Sequence, residues 1–161
     1  MRRFGLFFVV TILAVCGQSA NQTSALPDPR LTPGDTVEVT ATEVCTVGYT
    51  KKTRRVPVSV KRQVYSEYGR ELKEGVCCKV DHLIPLELGG SNRIANLWRE
   101  PLDTEWNADA KDRLERRLHR LVCMGQLDLS TAQKAIARDW IAAYREYVVT
   151  QSAKHPTRHR Q

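Results

Sequence analysis

Asp81 and His82 stand side by side, Asn96 follows beyond a Gly89-Gly90 pair, and Asn107, Asp109 and Lys111 come next at helical spacing. These residue types suit phosphodiester hydrolysis by in-line displacement. That reaction needs an activated water, a group that neutralises the pentavalent phosphate and a stabilised leaving oxygen. A neutral imidazole can take the water's proton near neutral pH, because its ordinary pKa is about 6.5. One divalent cation can serve both other needs. Mg²⁺ prefers oxygen ligands and keeps several waters. The Asp81 carboxylate and an oxygen of Asn107 or Asp109 are therefore suitable ligands, with Mn²⁺, Ni²⁺ and Zn²⁺ as alternative ions. Asn107 and Lys111 share a helix face, where Lys111 is placed to meet a phosphate oxygen. Asp109 points about 200° away from Asn107, so the two do not bind one ion together.

The elements around these residues must bring them to one place. Adjacent strand residues point to opposite faces, so the chain has to bend near Asp81 and His82. Pro85 just downstream is consistent with the strand ending there. Gly89-Gly90 turns the chain back, and residues 94–98 supply a return strand carrying Asn96. A helix capped by Asp103 or Thr104 then runs to about Met124. Its apolar stripe is Ala110, Leu114, Leu118, Leu121 and Val122, and Gly125 sits just beyond its end.

This layout resembles the HNH (His-Me finger, ββα-metal) endonucleases. The resemblance is carried by Asp81-His82 with Pro85, Gly89-Gly90, Asn96-Leu97-Trp98 and Asn107 up to Lys111. The flanking helices, including KDRLERRLHRLVCMGQL at 111–127, are similar to a small exported bacterial subgroup, which extends the likeness over 33–147. The resemblance implies an α+β fold built on a ββα-metal hairpin and helix. It implies that His82 is the general base, that Asp81 and Asn107 hold the metal, and that Asn96 binds backbone across the loop. It implies cleavage leaving 5′-phosphate and 3′-hydroxyl ends, and small members of the family often dimerise. Two features depart from the pattern. The last letter of the motif is usually His, and here Asn107 stands there, with Asp109 as the rival ligand. The cysteine pairs that hold zinc in many members are absent, and disulfides involving Cys45 and Cys123 would replace that bracing.

The remaining chain reads as delivery and scaffold. Arg2 and Arg3 precede an apolar run at 4–15, and small or polar residues follow: a signal peptide over about 1–20, cut between Gly17 and Ala25. The run is too short to span a bilayer comfortably, and Val15 is bulky for a lipidation signal at Cys16. The product is thus expected to be secreted or periplasmic. Residues 21–34 hold three prolines and read as a linker with a sequon at Asn21. The domain occupies 35–150. Its first part, 36–49, opens with β-branched residues alternating with polar ones, a strand signal. The basic loop after it contains Arg54 and Arg55, which suit phosphate contacts equally with a solvated role. Residues 57–68 read as a helix capped by Ser59, with Val60, Val64, Tyr65 and Tyr68 on its core side. A capping box at Ser130-Thr131-Ala132-Gln133 opens a last helix that buries Ala132, Ile136, Trp140, Ala143, Tyr144 and Val148. Residues 151–161 form a polar, basic tail with His155 and His159. His119 reads as a solvated surface histidine.

The net charge is +7, or +5 without Arg2 and Arg3, which is compatible with a polyanionic partner. DNA is the expected substrate, with RNA second, at low sequence specificity because no helix carries clustered basic residues for base reading. An immunity partner is not legible. Four cysteines remain after export: Cys45, Cys77, Cys78 and Cys123. An even count in an oxidising compartment suggests disulfides. A vicinal Cys77–Cys78 bridge strains the intervening peptide, so each is expected to reach elsewhere or to stay free. Without a Cys-x-x-Cys, and with poorly spaced histidines, structural zinc is not expected. Two further classes compete with the nuclease: a non-catalytic nucleic-acid-binding module, and a disulfide-braced envelope protein.

Overall fold

The computed structural model describes residues 24–52 and 54–150. The expected signal peptide, Cys16, the sequon at Asn21, and the basic tail with His155 and His159 lie outside the described residues. Within them, four α-helices and one two-stranded antiparallel sheet give an α+β fold. No described helix is long and apolar enough to cross a membrane.

Val80, Leu97 and Trp98 suit a pleated, half-buried surface, and the sheet forms there. Strand β1 (Cys78–His82) pairs with β2 (Leu97–Pro101), with Asp81 opposite Trp98 and His82 opposite Leu97. The connection is a long loop with two 3-10 turns, Leu86–Leu88 and Ile94–Asn96. The second turn takes the place of the expected start of the return strand, because Asn96 N–H bonds back to the Arg93 carbonyl at 2.9 Å. Gly89 sits at φ +78°, where a side chain is disfavoured. A Cβ on Gly90 would fall 1.8 Å from the Ile84 carbonyl oxygen, so only glycine fits.

The proline-rich stretch is packed rather than a free linker. Trp140 Nε1 donates to the Ala25 carbonyl (2.9 Å), and Thr32 Oγ1 donates to the Leu97 carbonyl (2.9 Å). The strand expected over 36–49 is not present. Thr36 makes a single bridge to Gly90, and Thr40 with Glu43 forms a capping box that opens helix α1 (Ala41–Val44). Local side-chain bonds to the backbone outcompete the weak alternation there.

Helix α2 (Val58–Glu67) buries Val64 and Tyr65 against β2. Pro57 is its cap, and Ser59 makes no cap bond. Helix α3 (Ala108–Cys123) starts later than expected because Asn107 is its cap, and it buries the whole anticipated stripe. Asp128 stands at the N-cap of helix α4 (Leu129–Tyr144) without a side-chain cap bond, and the helix does not open at a box on Ser130. It breaks at Asp139, whose Oδ1 accepts from Ala142 N–H (2.9 Å) and restarts the helix. A π-helical segment, Arg145–Thr150, follows. Ala132, Ile136, Trp140 and Ala143 are buried as expected, while Tyr144 and Val148 are only partly covered.

The core joins α3 and α4 to the underside of the hairpin loop through Leu83, Ile84, Leu88, Trp98, Leu114, Leu118 and Ile136. Trp106 caps it with edge contacts to Trp140 (5.9 Å) and Tyr144 (5.6 Å). One disulfide, Cys45–Cys123, ties the end of α1 to the end of α3. Cys77 and Cys78 pair with each other, against the expectation that each reaches elsewhere. The two lie at the start of β1, where Arg99 Nη2 sits 3.1 and 3.2 Å from their sulfurs, and no other cysteine is within the hairpin to compete.

Candidate active site

His82 ends β1, and the chain turns there. Asp81 Oδ1 accepts the His82 backbone N–H at 2.7 Å and lies 3.6 Å from His82 Nδ1. This local bend turns both side chains into one cleft of about 930 Å³ despite their adjacency in the strand. His82 Nε2 is 2.7 Å from Asn92 Oδ1. With Nε2–H donating to that oxygen, Nδ1 keeps its lone pair, on the side facing Asp81.

Asn96 does not enter the cleft. It is fully buried, and its amide holds the loop closed. Oδ1 accepts from Ile84 N–H (2.9 Å) and Asp35 N–H (3.3 Å), while Nδ2 donates to the carbonyls of Ile84 and Ser91 (both 2.9 Å). All four hydrogen-bonding positions of the carboxamide are used. Asp35 also binds Arg93 Nε (2.8 Å) and accepts from the Ser91 hydroxyl, so the leading segment braces the loop that carries Asn92.

The helix contributes different residues from those anticipated. Asn107 Oδ1 caps α3 by accepting Ala110 N–H (3.1 Å), and Asp109 is exposed on the first turn. Neither lines the cleft with Asp81 and His82. Asp112 and Glu115, one turn further on, do. Lys111 is not a phosphate ligand here. It is completely buried, its Nζ donates to the His82 carbonyl (2.7 Å), and it pairs with Glu115. Lys111 thus holds the His82 backbone from beneath. Arg54 and Arg55 are exposed on the opposite wall, and Lys61 and Arg116 extend the basic lining.

Charge is dense around Asp81. Lys79 Nζ lies 2.6 Å from Asp81 Oδ2 and 3.2 Å from Glu100 Oε2. Burial works to raise the Asp81 pKa, but its contact with His82 and the charges of Lys111 and Lys79 outweigh it and hold the carboxyl well below the usual range. Burial likewise works against charge on Lys111, and Glu115, Glu100 and Asp81 outweigh it, so its pKa is raised. Glu100 goes the other way. Burial, only partly offset by Lys111, pushes it up to about 8. Its oxygens have no hydrogen-bond partner despite the nearby ammonium groups. Burial also lifts Glu115 to about 6, against the pull of Lys111.

The donors facing the cleft are carboxylate oxygens, the chemistry a hard divalent cation prefers. Among the described residues, no trio that includes Asp81 brings three donor atoms within 4.8 Å of one another. An ion at Asp81 would therefore complete its shell with water and substrate oxygens, which Mg²⁺ tolerates well.

Comparison with family profiles, with curated proteins and with solved structures returned no match. The site therefore stands on its own geometry. Asn92, Asp112 and Glu115 are the residues that sequence reasoning missed. Asp112-x-x-Glu115 on the face next to Lys111 was the available signal for the helix pair. Asn92 sits in a loop and carries no periodic signal.

Proposed function

We propose that the chain is an exported, metal-dependent endonuclease of the HNH type, hydrolysing DNA, and RNA second, with low sequence specificity. The observation that carries this reading is the convergence of His82 and the ionised Asp81 on one cleft, whose lining also brings together Arg54, Arg55, Lys61 and Arg116 with the carboxylates of Glu87, Asp112 and Glu115. The cleft's open shape and its cations on two walls suit a phosphodiester backbone, and Arg54 and Arg55 are free of acidic partners close enough to form ion pairs in the described residues.

His82 Nδ1 accepts the proton of the attacking water, while Asn92 holds Nε2–H and so fixes the ring. Asp81 would hold the divalent cation, with Asp112 and Glu115 as further carboxylates on the helix wall. When bound, that cation supplies charge neutralisation at the phosphate and stabilises the leaving oxygen. Arg54, Arg55 and Arg116 orient the backbone on either side. Lys111 and Asn96 act one layer back, as positioning residues for His82 and the loop.

Cleavage of plasmid and single-stranded DNA by the mature chain tests this directly, run with Mg²⁺, Mn²⁺ or EDTA beside His82→Ala. Metal-dependent nicking that His82→Ala lacks is the expected result. Equal nicking by both proteins removes His82 as the base. Binding of DNA without cutting by either protein replaces the enzyme with a binding module.

A further inference from the structure

We propose that Cys45, His119 and Cys123 form a redox-gated zinc site, closed by a disulfide when oxidised and opened to Zn²⁺ when reduced. This site lies at the far end of α3 from the cleft and does not depend on the nuclease reading. His119 is not the solvated histidine its sequence position suggests. Its Nε2 lies 3.1 Å from the Val44 carbonyl and 3.4 Å from Cys123 Sγ. His119 and Cys123 are four apart on α3, and Cys45 comes from the end of α1, so two elements converge on the imidazole. One donor atom from each of the three residues lies within 4.8 Å of the others, and it is the one such trio among the described residues.

The spacing suits a tetrahedral ion. Zn–S bonds of about 2.3 Å and Zn–N bonds of about 2.0 Å place sulfurs about 3.8 Å apart and sulfur and nitrogen about 3.5 Å apart. The Nε2–Sγ separation of 3.4 Å already matches that edge. Once the S–S bond is broken, non-bonded contact alone drives the two sulfurs to roughly the remaining edge. Cys123 is exposed and Cys45 and His119 are half-buried, so an ion and a reductant can both reach the group. Water fills the fourth position.

The chemistry balances with a dithiol reductant. The reductant becomes a disulfide, and the Cys45–Cys123 bond takes up two electrons and two protons. Both protons leave to solvent as the thiolates bind Zn²⁺. His119 binds as the neutral imidazole, and Nε2 exchanges its contact with the Val44 carbonyl for the metal. The consequence is structural. The connection between α1 and α3 persists whether the surroundings are oxidising or reducing.

The test uses the full chain carrying Cys16→Ser, Cys77→Ser and Cys78→Ser, so that Cys45 and Cys123 are the only cysteines left. The protein is reduced with a phosphine and titrated with Co²⁺. The expected result is a thiolate-to-cobalt charge-transfer band at one equivalent, with tetrahedral visible bands, displaced by Zn²⁺ and absent before reduction. Cobalt bound at the Asp81 carboxylates gives no such band. His119→Ala should weaken binding by at least about tenfold. The proposal is overturned if the reduced chain shows no charge-transfer band, if Cys45→Ser leaves the band unchanged, or if His119→Ala binds as tightly. If reduction unfolds the chain, Zn²⁺ should restore the folded circular dichroism, and failure to do so also overturns it.

Discussion

At the scale of single residues, His82 and its supports separate into chemistry and positioning. His82→Ala should lower the cleavage rate by about 10²-fold or more, the usual contribution of a general base, and single-turnover kinetics would show it. Asn107→Ala should cost about 1 kcal/mol of stability through the lost cap yet leave the metal concentration needed for activity unchanged. Asp112→Asn should raise that concentration, and a metal titration of both variants distinguishes the capping carboxamide of Asn107 from the cleft-facing carboxylate of Asp112. Asn96→Ala should destabilise by about 3 kcal/mol or more, because it leaves buried loop carbonyls and amides unpaired. Glu100 sets a pH dependence. The folded chain keeps its proton up to about 8, while the unfolded chain releases it near the ordinary carboxylate value. Unfolding therefore releases a proton across that window, and stability falls as pH rises through it. In EDTA, urea melts of Glu100→Gln should lose most of this slope above about pH 6, where Glu115 no longer contributes. Asp81 contributes with the opposite sign, its share being lost as pH falls below the ordinary aspartate range. Asp81, His82 and Asn96 were legible because the motif is nearly contiguous. Asp112 and Glu115 were not, because helical period gives the buried stripe of α3 but not which of its flanks borders the cleft, and that is set by how the helix packs beneath the hairpin.

At the scale of elements, the Cys45–Cys123 link closes a separation of 78 residues. A loop of that size corresponds to about 4 to 5 kcal/mol in the chain-entropy model. Cys45→Ser/Cys123→Ser should therefore lower the denaturation midpoint strongly. The same link anchors the root of the basic wall, since the Tyr49–Lys52 turn and Arg54 follow directly from α1. Loss of the link should thus raise KM for DNA more than it lowers kcat in metal-saturated assays. The apolar stripes of α2, α3 and α4 were readable because burial follows helical period. The strand expected at 36–49 failed because Thr40 and Glu43 satisfy each other locally, and no partner strand is offered beyond Gly90. The vicinal disulfide was misjudged because the pairing of Cys45 with Cys123, which leaves Cys77 and Cys78 each other among the described residues, is fixed only by the fold.

At the scale of the whole molecule, the arginines lining the cleft should make DNA binding salt-dependent. Removing Arg54 or Arg55 should flatten the log–log slope by about one per residue on duplex DNA. Lys61 should matter less, because Glu74 holds its ammonium at 2.8 Å. Filter binding across a salt series measures both. The net positive charge pointed toward a polyanion, but only the folded arrangement puts four of the cations beside Asp81 and His82. The clasp between chain ends was invisible in sequence, since Trp140 donates to Ala25 across 115 positions and Gln133 Nε2 donates to the Leu88 carbonyl across 45. That clasp also sets a timetable. Synthesis proceeds from the amino end, and Gln133 and Trp140 are made well after the Asp81-His82 hairpin. A half-made chain carries the reactive pair without the bonds that hold its loop and leading segment in place. On the nuclease reading, a polypeptide still leaving the ribosome should cut its own messenger poorly until its last long helix is complete.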